Sequence, residues 1–279
     1  MTRHAAAEQG TDRRARLNGH EVRYVEGGAA GATRVLLLFN GIGASVETAA
    51  TFAAAFEDTR VIAFDAPGVG ASATPWLPYR LRRVADIAAA LLDHLGLPAV
   101  DVFGVSWGGA AAQEFALRHP QRCRTLALAA TSAGFVMVPG QPQVLLKMLS
   151  PRRYLDPAYL MEIGGQIYGG ILRFERELLQ VHATGMRAPS HRGYLYQLLA
   201  IWGWTSWHRL HRLALPVLVL VGADDPIVPP VNGRIIASRL RHRHVRLEIV
   251  NCGHMFVLTR PAETARRVER FLTKYAAVA

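Results

Sequence analysis

Short, largely apolar runs recur along this chain, with helical stretches between them. They lie at residues 34–39, 60–64, 99–103, 125–130, 216–221 and 245–250. Each is too short for a buried helix; 34–39, 60–64 and 216–221 are apolar after their first residue, the pattern of strands covered on both faces, whereas 245–250 alternates at Arg246 and Glu248. The intervening segments 47–56, 81–95, 107–118, 233–240 and 261–275 are helical by composition and spacing. In 81–95 the residues Val84, Ile87, Ala88, Leu91 and Leu95 fall at intervals of three and four, one face of a helix. Strand and helix in alternation require a mostly parallel sheet with helices packed on both sides, an α/β fold.

The rhythm breaks once. From residue 134 to 215 there are no clean strand signals, but there are prolines at 139, 142 and 151, glycine pairs at 164–165 and 169–170, and three of the five tryptophans, Trp202, Trp204 and Trp207. No Ser/Gly-rich linker sets this piece apart. We expect residues 17–133 and 216–279 to form one sheet domain, interrupted by a helical lid or cap at 134–215. Residues 1–16 are polar and charged and are expected to be an unstructured leader. Residues 20–26 alternate around Val22 and Tyr24 and suggest an early edge strand.

The chemistry concentrates where strands end. Gly104-Val105-Ser106-Trp107-Gly108 matches G-x-S-x-G. The bare pattern is weak; its setting, between an apolar strand and a helix, makes it informative. A serine on so sharp a turn projects its hydroxyl above the sheet, and small neighbours let the backbone pass. A serine hydroxyl needs a base to act as a nucleophile. Of eleven histidines, His254, in Asn251-Cys252-Gly253-His254 after the last strand, stands where such a base is needed. The carboxylate that orients it is expected in Gly222-Ala223-Asp224-Asp225-Pro226. Asp225 is favoured, with Asp224 as the alternate. A tetrahedral oxyanion needs two donors: the backbone N–H of Trp107, and that of Ile42 in Asn40-Gly41-Ile42-Gly43. Asp65-Ala66-Pro67-Gly68-Val69-Gly70 lacks the Lys-Ser/Thr of a phosphate loop and reads as a structural turn. No spacing of His, Cys and carboxylates suggests a metal, and no cofactor is expected.

Composition narrows the partners. Thirty-two Lys+Arg against 21 Asp+Glu give +11, yet only Lys147 and Lys274 are lysines and the arginines are scattered. That argues against a nucleic-acid partner. Two cysteines, Cys123 and Cys252, make no disulfide framework and suggest a reducing compartment. No signal-like opening or transmembrane-length apolar run is present, so a cytoplasmic protein is expected.

With these residues in view, the chain resembles an α/β-hydrolase and, within that superfamily, the intracellular poly(3-hydroxyalkanoate) depolymerases of the medium-chain-length type. The resemblance rests on Phe39-Asn40-Gly41-Ile42-Gly43-Ala44, Pro78-Tyr79-Arg80, Gly104–Ala110, Val136-Met137-Val138-Pro139-Gly140, Ser150-Pro151-Arg152-Arg153-Tyr154, Ile167-Tyr168-Gly169-Gly170, Gly203-Trp204-Thr205-Ser206 and Gly253-His254. It spans about 33–272, including the insertion, where general α/β-hydrolases diverge most. It departs at Ala223 and Cys252, where an acid is common.

The resemblance implies ester hydrolysis by Ser106, Asp225 and His254, with a lid whose Trp202, Trp204, Trp207 and Tyr168 contact a hydrophobic polyester. The alternative is a small-molecule carboxylesterase or lactonase of the same fold. A non-catalytic, granule-associated binding protein is a third reading. Residues 134–215 hold nine Lys+Arg against four Asp+Glu, which would suit docking on an anionic storage-granule coat.

Overall fold

The computed structural model describes residues 12–29, 31–185, 187–240 and 244–275. Eight strands form one sheet: β1 (Arg13–Leu17), β2 (His20–Gly28), β3 (Val35–Phe39), β4 (Arg60–Phe64), β5 (Val100–Val105), β6 (Cys123–Ala129), β7 (Val217–Gly222) and β8 (Val245–Val250). Their order is β1-β2-β4-β3-β5-β6-β7-β8. The first three in that order pair antiparallel; the rest pair parallel.

The helices are α1 (Val46–Ala53), α2 (Leu81–His94), α3 (Trp107–Arg118), α4 (Pro142–Met148), α5 (Arg152–Leu155), α6 (Pro157–Tyr168), α7 (Arg176–Gly185), α8 (His191–Ile201), α9 (Val231–Arg239), α10 (Phe256–Thr259) and α11 (Pro261–Lys274). Among the described residues no helix is long and apolar enough to cross a membrane.

The apolar runs sort by the two-residue period of a strand. Leu37 and Phe39, Ile62 and Phe64, Leu126 and Leu128, and Val217, Val219 and Val221 pack with α2 and α3 on one face. Leu36 and Leu38, Val61 and Ala63, Ala127 and Ala129, and Leu218 and Leu220 pack with α1 and α11 on the other. The sheet order explains this division. From β3 the chain crosses one way to β4, then doubles back past β3 to β5 and on to β6. Right-handed crossovers in opposite directions place α1 and the pair α2–α3 on opposite faces. The reversal leaves a crevice between the C-terminal ends of β3 and β5, where ligands of open α/β sheets bind. Helices α4 to α8 all lie between β6 and β7 in the chain; Leu160, Ile163, Ile167, Leu172 and Leu179 cluster with Ile227 and Val228 from the loop after β7, whereas Tyr196 and Ala200 of α8 join the core on the α2–α3 face.

Two expectations need correction. Residues 13–16 are not an unstructured leader: they belong to β1, which turns into β2 through Asn18 (φ 49°) and Gly19 (φ 84°). Both backbones take the left-handed region, as a two-residue hairpin turn demands, and Asn-Gly is the strongest short hairpin signal. Ala15 and Leu17 are buried, and Arg14 pairs across the hairpin with Glu21 at 2.8 Å. The remainder of the expected leader, residues 1–11, lies outside the described residues. In consequence β2 is an interior strand, not an edge.

Candidate active site

β5 ends at Val105 and α3 begins at Trp107, so the chain reverses at a single residue, Ser106. Its backbone sits at φ 56° and ψ −119°, a conformation that costs a non-glycine residue on the order of 1–3 kcal/mol. The surroundings hold it there. Ser106 N–H donates to the Ala129 carbonyl at 2.9 Å, and Gly109 N–H to the Ser106 carbonyl at 2.9 Å. The Thr131 hydroxyl donates to that same carbonyl at 2.7 Å. The flanking glycines are obligatory. A Cβ on Gly104 would stand 2.5 Å from the Gly108 carbonyl oxygen and 2.6 Å from Ala112 Cβ. One on Gly108 would run into the carbonyls of Phe39 and Asn40.

Three strands deliver three side chains to this point. Ser106 Oγ lies 3.1 Å from His254 Nε2, and His254 Nδ1 lies 2.7 Å from Asp225 Oδ2. The other oxygen of Asp225 accepts the N–H groups of Ile227 and Val228, each at 2.9 Å. Asp225 and His254 are 5% and 4% exposed. The neighbouring acid points elsewhere. Asp224 accepts Gly170 N–H at 2.7 Å and the Arg173 guanidinium at 2.9 and 3.0 Å. That hydrogen bond to Arg173 holds its carboxyl below the usual carboxylate range. Of the two aspartates left open by the sequence, only Asp225 meets His254.

The loop after β3 faces Ser106. Trp107 opens α3, and N–H groups of a first helical turn have no partner within their helix. Ile42 lines the same cavity as Ser106. Side chains from the insertion fix the backbone around both. Tyr154 Oη donates to the Ile42 carbonyl at 2.6 Å. Gly43 N–H donates to Gln197 Oε1 at 2.7 Å, and the Trp107 indole N–H to the Gln197 carbonyl at 2.9 Å. His254 is tied to the insertion as well: its N–H donates to the Tyr168 carbonyl at 2.7 Å.

The cavity has a volume of about 60 Å³ and mostly apolar walls. Of the four residues expected to contact substrate, Tyr168 lines it. The three tryptophans lie elsewhere. Trp202 is 77% exposed. The Trp204 indole donates to Glu114 Oε2 at 2.9 Å. Trp207 packs at the margin of the sheet core with the Arg239 guanidinium 4.4 Å from its ring centre. Trp204 and Trp207 cover apolar surface and do not reach the serine. The cavity also receives Arg153 and His182, which the sequence reading did not single out as site residues. Arg153 lay in a segment matched to the resembled family; His182 had only the signal of a lone histidine on a helix. Gln197, half-way along α8, gave no signal at all.

Comparison with known proteins agrees with this geometry. The family model for the alpha/beta hydrolase fold matches residues 34–261. The chain is 49% identical over 238 residues to the poly(3-hydroxyalkanoate) depolymerase of Ectopseudomonas oleovorans, covering 85% of this chain and 83% of that protein. It is 27% identical to 3-oxoadipate enol-lactonase 2 of Acinetobacter baylyi, over 88% of this chain and 91% of the other. Among solved structures, a hydrolase from Pseudomonas aeruginosa superposes with a TM-score of 0.80 at 26% identity, covering 94% of this chain and 98% of its own. By its sheet order, its serine turn and these matches, the chain belongs to the α/β-hydrolase fold family.

Proposed function

We propose that this chain is a serine ester hydrolase that depolymerises poly(3-hydroxyalkanoate), with Ser106 as nucleophile, His254 as base and Asp225 as the acid that orients it. The observation that carries the reading is the unbroken hydrogen-bonded chain from Ser106 Oγ through His254 to Asp225. The polymer comes from the 49% identical depolymerase.

His254 takes the Ser106 proton as the hydroxyl attacks an ester carbonyl. Asp225 holds the ring in the tautomer with a proton on Nδ1 and stabilises the imidazolium. The N–H groups of Ile42 and Trp107 receive the oxyanion; one such donor is worth about 3–4 kcal/mol in a hydrolase of this mechanism. The ester C–O bond breaks, His254 returns the proton to the leaving alkoxide, and water activated by His254 then releases the acyl group.

Residues 134–215 act as a lid over the serine. The space above the serine is small, about 60 Å³, and these helices part to admit a branched polyester. Their outer face suits a water-insoluble partner. Among the described residues, most exposed large hydrophobic side chains belong to this segment, Phe135, Leu146, Phe174 and Trp202 among them. Combined with its excess of arginines, this supports docking on the coat of a cytoplasmic storage granule; binding that is indifferent to salt would contradict the electrostatic part.

The test is hydroxyacid release from amorphous polymer granules, with Ser106→Ala as the inactive control. Turnover of soluble esters with inertness on polymer would transfer the reading to a small-molecule esterase or lactonase, which the small cavity favours.

A further inference from the structure

Arg153 is an anomaly. Its side chain is 1% exposed, yet among the described residues no carboxylate lies within 4 Å of it. Buried guanidinium groups are ordinarily paired, because removal from water is otherwise uncompensated. Its neighbours are neutral. Nη1 donates to the Tyr194 hydroxyl at 2.7 Å and the Ser150 carbonyl at 3.4 Å, and Nη2 to the Tyr154 hydroxyl at 3.5 Å; the Tyr154 ring centre lies 4.5 Å from the guanidinium carbon. Nε has no partner. A second orphan sits in the same cavity: the Nε2 of His182, on α7, is buried and unpaired. Burial and the nearby Arg153 hold the His182 imidazole neutral, its pKa down to about 4. Neither group has a place in the serine mechanism, and both residues line the cavity that holds Ser106 and His254, their unpaired nitrogens buried in its wall.

A cation with an unused N–H, beside a neutral ring that can carry its one proton on the unpaired Nε2, presents two donors, which suits a carboxylate with two acceptor oxygens. We propose that Arg153 and His182 form a buried carboxylate subsite, and that it receives the free carboxyl end of the polyester, so that units are removed from that end.

The proposal rests on the nucleophile reading above. In a poly(3-hydroxyalkanoate) the free carboxylate lies on the alcohol side of its nearest ester. Attack by Ser106 leaves the rest of the chain as the acyl group. The ester C–O bond breaks and the leaving oxygen takes the proton from His254. The first product is therefore a 3-hydroxyalkanoate whose carboxylate Arg153 still holds. A neutral ester group in the same place would leave the guanidinium uncompensated. Anchoring the end unit in a space continuous with the serine makes the terminal ester the one attacked.

The first experiment measures binding to the full-length Ser106→Ala protein by calorimetry. The ligands are the 3-hydroxyoctanoate dimer as free acid, its methyl ester, and octanoate. We expect the free acid to bind roughly tenfold to a hundredfold more tightly than the methyl ester, the range of a charge-assisted hydrogen-bond pair. Equal affinities overturn the subsite. Octanoate binding as tightly as the dimer acid overturns the polymer end as its occupant.

The second compares kcat/KM for the dimer acid and its methyl ester in the unaltered enzyme, Arg153→Lys and Arg153→Met, with thermal melting as the check on folding. The ratio of acid to ester should collapse in Arg153→Met, chiefly through KM, and recover partly in Arg153→Lys. A structural role would depress both substrates alike and leave the ratio unchanged, which refutes the proposal. Hydrolysis that survives in Ser106→Ala would instead refute the nucleophile assignment, and the calorimetry would still report on the subsite.

Discussion

Asp225→Asn should remove catalysis while leaving the fold in place, and Asp224→Asn should leave both catalysis and fold in place. The two oxygens of Asp225 have different partners. Oδ1 accepts two buried backbone N–H groups, from Ile227 and Val228; Oδ2 accepts the proton on His254 Nδ1. Asparagine keeps an oxygen for the two amides and presents NH₂ to the ring. Nδ1 must then become an acceptor, the proton moves to Nε2, and Nε2 can no longer take the Ser106 proton. The same wrong-tautomer substitution in a Ser-His-Asp protease lowers kcat about 10⁴-fold, or about 5.4 kcal/mol at 1.36 kcal/mol per decade. Asp225→Ala would be a poorer probe. It would leave two buried amides unpaired, at about 1–3 kcal/mol each, and confuse lost stability with lost chemistry. Asp224 is half exposed and its partner Arg173 is a third exposed, so Asp224→Asn should cost at most about 1 kcal/mol of stability and leave kcat within about twofold of its original value. Steady-state kinetics on a soluble ester, with denaturant unfolding of each variant, decides the matter. An Asp225→Asn enzyme retaining a tenth of its kcat, or equal losses in the two variants, would refute the assignment.

Gln197→Leu removes the acceptor for the buried Gly43 N–H and should destabilise the protein by about 1–3 kcal/mol while lowering kcat, as judged by unfolding and steady-state assays together; unaltered kcat would mean that the oxyanion loop holds itself. Gly104→Ala forces a Cβ to 2.5 Å from the Gly108 carbonyl and should cost about 1–3 kcal/mol or more, visible as a lowered melting temperature, whereas an unchanged one would show that α3 can retreat. His182 has its folded pKa depressed to about 4 from 6.5, so the unfolded chain binds more protons between those values and the stability from a neutral His182 is lost as pH falls through that window. Unfolding at pH 7 and pH 4.5 should show the unaltered protein losing up to about 3 kcal/mol more than His182→Gln; parallel losses would mean that His182 is charged without penalty.

Much of this molecule is legible in its sequence, for a physical reason. Strands such as β3 and β7 are apolar at every position because helices cover both faces, and that leaves a signal needing no knowledge of neighbours. The serine turn is legible too, because Gly104 and Gly108 are demanded by local contacts. β1 escaped notice because an Arg-rich outer strand with only Ala15 and Leu17 buried looks like solvated chain; the Asn18-Gly19 turn was the signal to follow. Trp204 and Trp207 lie away from the serine because an indole is buried by whatever apolar surface is at hand, Trp204 with its N–H on Glu114 of α3, while Trp202 stays exposed. Asp224 and Asp225 are chemically identical, and only the path of the backbone after β7 separates them. Arg153 and His182 owe their meaning to the absence of a counter-ion, which no local pattern records.

The segment between β6 and β7 touches every loop that builds the site. Gln197 holds the loop after β3 and the indole of Trp107, the Tyr168 carbonyl holds the His254 backbone, and Gly170 with Arg173 holds the acid loop through Asp224. It is therefore not an exchangeable module. Grafting the corresponding helices of a relative onto this sheet would remove the braces of the loop after β3, of His254 and of the loop after β7 together, and on the proposed mechanism a chimera is expected to lose turnover even with Ser106, Asp225 and His254 intact. New substrate preferences in such a scaffold have to come by substitution within the insertion, at positions that line the cavity and carry none of these hydrogen bonds.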